Sequence, residues 1–291
     1  MKQAYERILR ALNQFHVLTI KQTAKLTGFN PETSYTTVST LMTELFKHGL
    51  VDYGMLPHEK ARGGATKLYI LTPSGRDALR GIGIVSEGRQ LFKPEQRAST
   101  SGEQAKKLGE YWRHVMLSTD FFITAHLWQA QQPEVVYRRM LTELDIYRDK
   151  AHYPVPLELP NFRPGGVIPD GLLEVVHPVY QGFRFWLEVE RDQYHESDFR
   201  LKIRALVAFA EGPNLSLYGT RTLTILIVAT KGEEHCKKLL RWIAMELQEL
   251  GKQNYAPLFR VTAVPPDALQ LFTQAVWYIP MDTAPHALFS G

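Results

Sequence analysis

The chain has 291 residues, 44% of them hydrophobic and 22% charged, with a formal net charge of +4. That length fits two domains, the composition is that of an ordinary globular protein rather than a disordered one, and no apolar run reaches the roughly 20 residues of a membrane span. The single Cys236 excludes an internal disulfide framework, and the amphipathic N-terminus lacks a signal-peptide core, so a cytoplasmic location is expected.

The positive charge is concentrated. Residues 1–82 hold 11 Lys and Arg against 6 Asp and Glu, a net +5, whereas the remainder holds 23 against 24. This asymmetry suggests a nucleic-acid-binding head on a neutral body.

Residues 4–16 place Tyr5, Ile8, Leu9, Leu12 and Phe15 at helical spacing. A second helix is expected over Thr19 to Leu26, stopped at Gly28. A third starts at Asn30-Pro31-Glu32-Thr33, with Val38, Leu41, Met42 and Leu45 as its buried stripe and Gly49 as its stop. Thr33, Ser34, Tyr35, Thr36, Thr37, Ser39 and Thr40 lie on its first turns, and Thr36, Thr37 and Thr40 are expected to face outward. Three short helices of this kind form a helix-turn-helix, whose last helix offers its N-terminal half to the major groove.

Leu50 to Tyr53 then reads as a strand, and Lys67 to Thr72 as its return. The basic, glycine-rich hairpin between them carries His58, Lys60, Arg62, Gly63, Gly64 and Lys67, which makes it a wing. The stretches KHGLVDY and RGGATKLYILTPSGRDAL resemble the winged helix-turn-helix domains of bacterial regulators. Contacts to double-stranded DNA are therefore expected from Thr33, Ser34, Tyr35, Thr36, Thr37, Thr40, Lys60, Arg62 and Lys67. The alternative is a protein-interaction module in which Arg62 and Lys67 are merely solvated.

Residues 83–110 lose periodicity and read as a linker between a domain at 1–82 and one at 111–291. A helix is expected from Tyr111 to about Gln131, with Trp112, Val115, Met116, Phe122 and Leu127 inward, and Val135 to Asp149 is ambiguous. Strands follow at 167–176 and 183–190, a helix at Glu196 to Ala210, and a strand at Thr222 to Thr230. A helix at Glu233 to Leu250 and strands at Leu258 to Val264 and Trp277 to Ile279 complete the chain. Alternating strands and helices imply a mixed sheet covered on both faces, in the order of a restriction-endonuclease-like core.

In the run 183–190, Phe-Arg-Phe-Trp-Leu-Glu-Val-Glu, strand alternation points Phe183, Phe185, Leu187 and Val189 one way and Trp186, Glu188 and Glu190 the other. If the strand at 167–176 pairs beside it, Asp170 joins the two glutamates in a three-carboxylate oxygen site suited to Mg²⁺ or Mn²⁺. The bland alternative makes Glu188 and Glu190 solvent-facing residues of an edge strand, paired with Arg184 or Arg204. Glu174, Asp192 and Glu196 are supporting acids.

His114 in YWRHVMLSTDFF, Pro169-Asp170-Gly171, FWLEVERD at 185–192 and Lys202 in FRLKIRAL make the chain similar to the replication-relaxation family of plasmid and mobile-element proteins. The resemblance implies a winged helix-turn-helix fused to a PD-(D/E)xK nuclease-like domain, an overall α+β or α/β class, and work in DNA replication, relaxation or transfer. It further implies Asp170, Glu188 and Glu190 as metal ligands and as catalytic residues with Lys202. The usual core places a lysine two residues after the strand glutamate, but that position is Glu190, so either Lys202 reaches back from the next helix or the site is dead. In the second case the chain is a regulator or accessory factor that uses a degenerate nuclease fold for homodimerisation or for docking a replication, transfer or transposition protein.

His114 alone reads as a core histidine, and His235-Cys236 lacks a second ligand pair at zinc spacing. Neither a GxxxxGK[ST] loop nor a GxSxG elbow occurs, which argues against an NTPase or a serine hydrolase. Each lysine or arginine on a DNA phosphate contributes about one unit to the slope of log affinity against log salt. Replacing Arg62 and Lys67 together is therefore expected to weaken DNA binding and flatten that slope by about two, as read in a fluorescence-anisotropy salt titration.

Overall fold

The computed structural model describes residues 3–30, 33–56, 66–86, 103–148, 168–177, 181–212, 214–215 and 222–289. The chain divides into two compact units, Met1–Thr119 and Asp120–Gly291. Among the described residues no helix is long and apolar enough to cross a membrane.

In the first unit, α1 (Gln3–Phe15) buries Tyr5, Ile8, Leu9, Leu12 and Phe15, the stripe that its spacing predicts. Helix α2 (Ile20–Thr27) is bounded by its own sequence. The Thr19 hydroxyl accepts from the Gln22 amide and the Gln22 side chain accepts from the Thr19 amide, a reciprocal capping box, while Gly28 closes the helix in the left-handed region at φ +77°. Helix α3 spans Tyr35–Lys47, not the Thr33 start expected, because residue 33 lies in a turn in which the Ser34 amide donates to the Asn30 carbonyl. Val38, Met42 and Leu45 are buried in α3, whereas Leu41, expected with them, is half-buried.

Strands β1 (Val51–Met55) and β2 (Lys67–Leu71) pair antiparallel, Val51 opposite Leu71 and Met55 opposite Lys67. A fourth helix not foreseen from the sequence, α4 (Pro73–Arg80), starts on the Thr72 cap with proline in its first turn. The long helix α5 (Glu103–Gln129) begins inside the stretch expected as a linker, and residues 87–102 lie outside the described residues. Trp112, Val115, Met116 and Phe122 are buried as expected, whereas Leu127 is half-buried and Trp128 is buried in its place.

The ambiguous stretch resolves into β3 (Val136–Thr142) and α6 (Glu143–Arg148). Then come β4 (Gly171–His177), β5 (Gln181–Glu190), α7 (Glu196–Glu211), β6 (Thr224–Ala229), α8 (Glu233–Glu249), β7 (Phe259–Thr262), the short α9 (Gln270–Thr273), β8 (Trp277–Tyr278) and β9 (Pro285–His286). The sheet order is β3-β4-β5-β6-β7-β8-β9, with β5, β6 and β7 parallel and the flanking pairs antiparallel. On one face Trp186, Ile225 and Ile227 pack with Phe199, Ile203 and Leu206 of α7 and Leu239, Trp242 and Ile243 of α8. Elsewhere Phe289 stacks on Trp128 and meets Phe183 and Phe185 edge-on. The alternation expected along β5 is thus the alternation found.

Gly171 admits no side chain. A Cβ there would lie 2.2 Å from the Phe122 ring and 2.7 Å from the Leu141 carbonyl oxygen, where β3 and β4 join. Gly171→Ala is expected to lower the unfolding free energy by about 1–3 kcal/mol, as overpacking does, and Phe122→Leu in the same chain to recover part of that loss in urea denaturation. An unmoved midpoint would mean that the ring yields at no cost.

Candidate active site

Among the described residues, strand β5 is third of seven, between β4 and β6, so its residues cannot turn to open solvent as an edge strand's could. Glu188 and Glu190 are 2% and 4% exposed, which removes the edge-strand alternative, and Arg184 and Arg204 pair elsewhere, with Glu174 and Glu246. On α7 the buried stripe Phe199, Ile203, Leu206 includes Lys202 at the same spacing. A lysine on a core-facing stripe must find anions or lose its charge. The Lys202 Nζ lies 2.5 Å from Glu188 Oε2 and donates to Glu190 Oε1 at 2.8 Å. The other oxygen of Glu188 accepts from Trp186 Nε1 at 2.5 Å.

Asp170 immediately precedes β4. Its backbone amide donates to the Leu187 carbonyl at 2.9 Å, continuing the β4–β5 ladder, and its Oδ2 accepts from the Val189 amide at 2.6 Å. Its charge acts on both Glu188 and Lys202. All four residues expected to act together therefore belong to one neighbourhood, with Lys202 on the side of the sheet that carries Glu188 and Glu190.

A further acid was not foreseen. Glu143, the buried first residue of α6, donates its backbone amide to the Asp170 carbonyl at 3.1 Å, and its carboxylate comes within 4.8 Å of that of Asp170. It lies in the stretch whose periodicity was ambiguous, and only the β3–β4 pairing brings it here. Of the supporting acids, Glu174 holds Arg184, Asp192 holds Lys238 and lies 3.9 Å from His235, and Glu196 lies 3.7 Å from Arg200. His114 is half-buried on α5.

Burial pushes the Glu188 carboxyl up to about 8, and the charges of Asp170 and Glu190 add to the shift against the opposing pull of Lys202. Burial alone would lower the Lys202 ammonium, but Glu188 and Glu190 outweigh it and hold the group well above the ordinary lysine value. Two carboxylates, Glu188 and Glu190, face one ammonium, and the charge of Asp170 acts on the same groups. Oxygen donors with surplus negative charge fit a hard divalent cation, although Lys202 already holds one oxygen of each glutamate.

On the proposed DNA-reading surface, Thr33, Tyr35, Thr36, Thr37 and Thr40 are exposed and Ser34 is half-buried. The Thr40 hydroxyl donates back to the Thr36 carbonyl at 2.9 Å. Lys67 places its ammonium 4.5 Å from the centre of the Tyr53 ring, and Lys60 and Arg62 lie outside the described residues.

A carboxyl raised by folding stabilises the fold while protonated. That contribution is complete below its ordinary 4.5 and is lost as pH rises through about 8. Glu188→Gln is accordingly expected to gain stability relative to the parent chain between pH 5 and pH 9, read as the difference in urea midpoints. A difference that stays flat over that range would show Glu188 ionising as an ordinary carboxylate.

Residues 9–212 match the model of the family described as Replication-relaxation, a span that runs from within α1 to the end of α7 and contains all four clustered residues. No curated protein and no solved structure matches the chain. With the match covering most of its length, the chain belongs to the replication-relaxation family.

Proposed function

We propose that this is a DNA-binding protein of plasmid or mobile-element replication, relaxation or transfer, acting in the cytoplasm, whose second domain is a PD-(D/E)xK-like, divalent-metal-dependent phosphodiesterase. Residues 1–82 form the winged helix-turn-helix head, residues 111–291 the nuclease-like body. The observation that carries this reading is the contact of Lys202 with Glu188 and Glu190 near Asp170, which supports a lysine from α7 standing in for the one that the usual core carries where this chain has Glu190.

Asp170, Glu188 and Glu190 would hold Mg²⁺ or Mn²⁺, and such an ion supplies Lewis-acid charge and a more acidic bound water. Lys202 keeps its proton at neutral pH and so offers a fixed positive charge for the phosphate oxygens. In the head, α3 presents Tyr35, Thr36, Thr37 and Thr40, small or planar groups that admit a close approach to the major groove.

A specific observation favours the second reading, a non-catalytic accessory factor whose degenerate nuclease fold serves dimerisation or docking. Both oxygens of Glu188 already have partners in Trp186 and Lys202, so this carboxyl is satisfied without a ligand. Nicking of supercoiled plasmid with Mg²⁺ decides between them. The nuclease reading expects cleavage that Glu188→Ala and Lys202→Ala each reduce at least about a hundredfold while DNA affinity persists. DNA binding without any metal-dependent cleavage in the parent chain would give the protein to the accessory reading.

A further inference from the structure

An ammonium has three N–H donors, and once desolvated it needs a partner for each. Two donors of Lys202 are accounted for by Glu188 Oε2 at 2.5 Å and Glu190 Oε1 at 2.8 Å. On a third side lies Tyr194, whose ring centre is 5.1 Å from Nζ. Tyr194 sits in the connection between β5 and α7, the two elements that carry the glutamates and the lysine, and its ring is backed by Phe199 with centroids 6.3 Å apart.

We propose that Tyr194 is a positioning residue, its ring face receiving the third side of the Lys202 ammonium and holding it between Glu188 and Glu190. The proposal rests on taking Asp170, Glu188, Glu190 and Lys202 as the site. Its physical basis is that the attraction between a cation and a ring face is largest where water is excluded, and Lys202 is 6% exposed. A lysine reaching from a helix ends on four rotatable carbons. Two glutamates on one strand define a line along that strand, and a ring on a third side turns the line into a seat.

The tyrosine hydroxyl is not what the seat uses. Lys202 would lower the phenol, but burial and the charges of Glu190, Glu188 and Asp170 raise it above its ordinary value, so it stays neutral. The ring therefore acts through its face, which phenylalanine shares and leucine lacks.

The test is a side-chain ammonium spectrum of the full chain labelled with nitrogen-15 lysine, with Lys202 assigned by its loss in Lys202→Arg. The parent chain is expected to show a slowly exchanging Lys202 signal with its protons displaced upfield by the ring. Tyr194→Phe should keep both features. Tyr194→Leu should remove the displacement and speed proton exchange roughly two- to thirtyfold, the range spanned by exposed and desolvated pairs.

A Tyr194→Leu spectrum like the parent's would overturn the proposal, and loss of the signal in Tyr194→Phe would overturn it by moving the role to the hydroxyl. Should the leucine variant fail to fold, the parent and phenylalanine spectra decide: a Lys202 signal without upfield displacement rejects the seat. Neither DNA nor metal enters the measurement, so a chain that cleaves nothing sinks the nuclease reading and leaves this result standing.

Discussion

The ion cluster of Lys202 with Glu188 and Glu190 sets the terms for the second unit. Taking one ammonium and one carboxylate out of water costs several kcal/mol per ion, a deficit that only close, multiply hydrogen-bonded partners offset. The chain surrounds the cluster with such partners: the Trp186 indole on Glu188, the Val189 amide on Asp170 and the Tyr194 ring beside the ammonium. A hydrophobic replacement of the same volume would serve stability as well or better. Its presence in the middle of a sheet is the reason to look for chemistry there.

The geometry follows from strand pairing. Because β5 is held by β4 on one side and by β6 on the other, its pleat is fixed, and Glu188 and Glu190 face α7 together. The β4–β5 register sets Gly171 opposite Leu187, so Asp170 falls one step beyond, where its side chain meets the Val189 amide. Gly171 lets the Phe122 ring close against this corner. The flanking ion pairs of Glu174 with Arg184, and of Glu246 with Arg200 and Arg204, tie β4 to β5 and α7 to α8 without entering the cluster.

In the first unit, local chemistry dominates. The Thr19 capping box, the left-handed Gly28 and the Thr72 cap before Pro73 each start or stop a helix using residues within a few positions. The sequence displayed the Thr19 and Gly28 bounds of α2 as readily as the buried stripe of α1, but not the reciprocal capping box. It did not display α4, whose eight residues include Pro73 and Gly75 and bury few side chains.

Sequence alone determined the element order from β4 to β7 and the shared face of Trp186, Glu188 and Glu190, because strand periodicity is local and alternation leaves no choice of side. It also singled out Lys202, but could not place it. Whether that ammonium reaches the glutamates depends on how α7 packs across β5, and the role of Glu143 depends on β3 pairing with β4. Glu143 and Asp170, 27 positions apart in the chain, are joined amide to carbonyl where β3 meets β4, a relation with no local signature. Tertiary structure decided these contacts because burial of charge is settled by what lies opposite in space, and no window of sequence contains both sides.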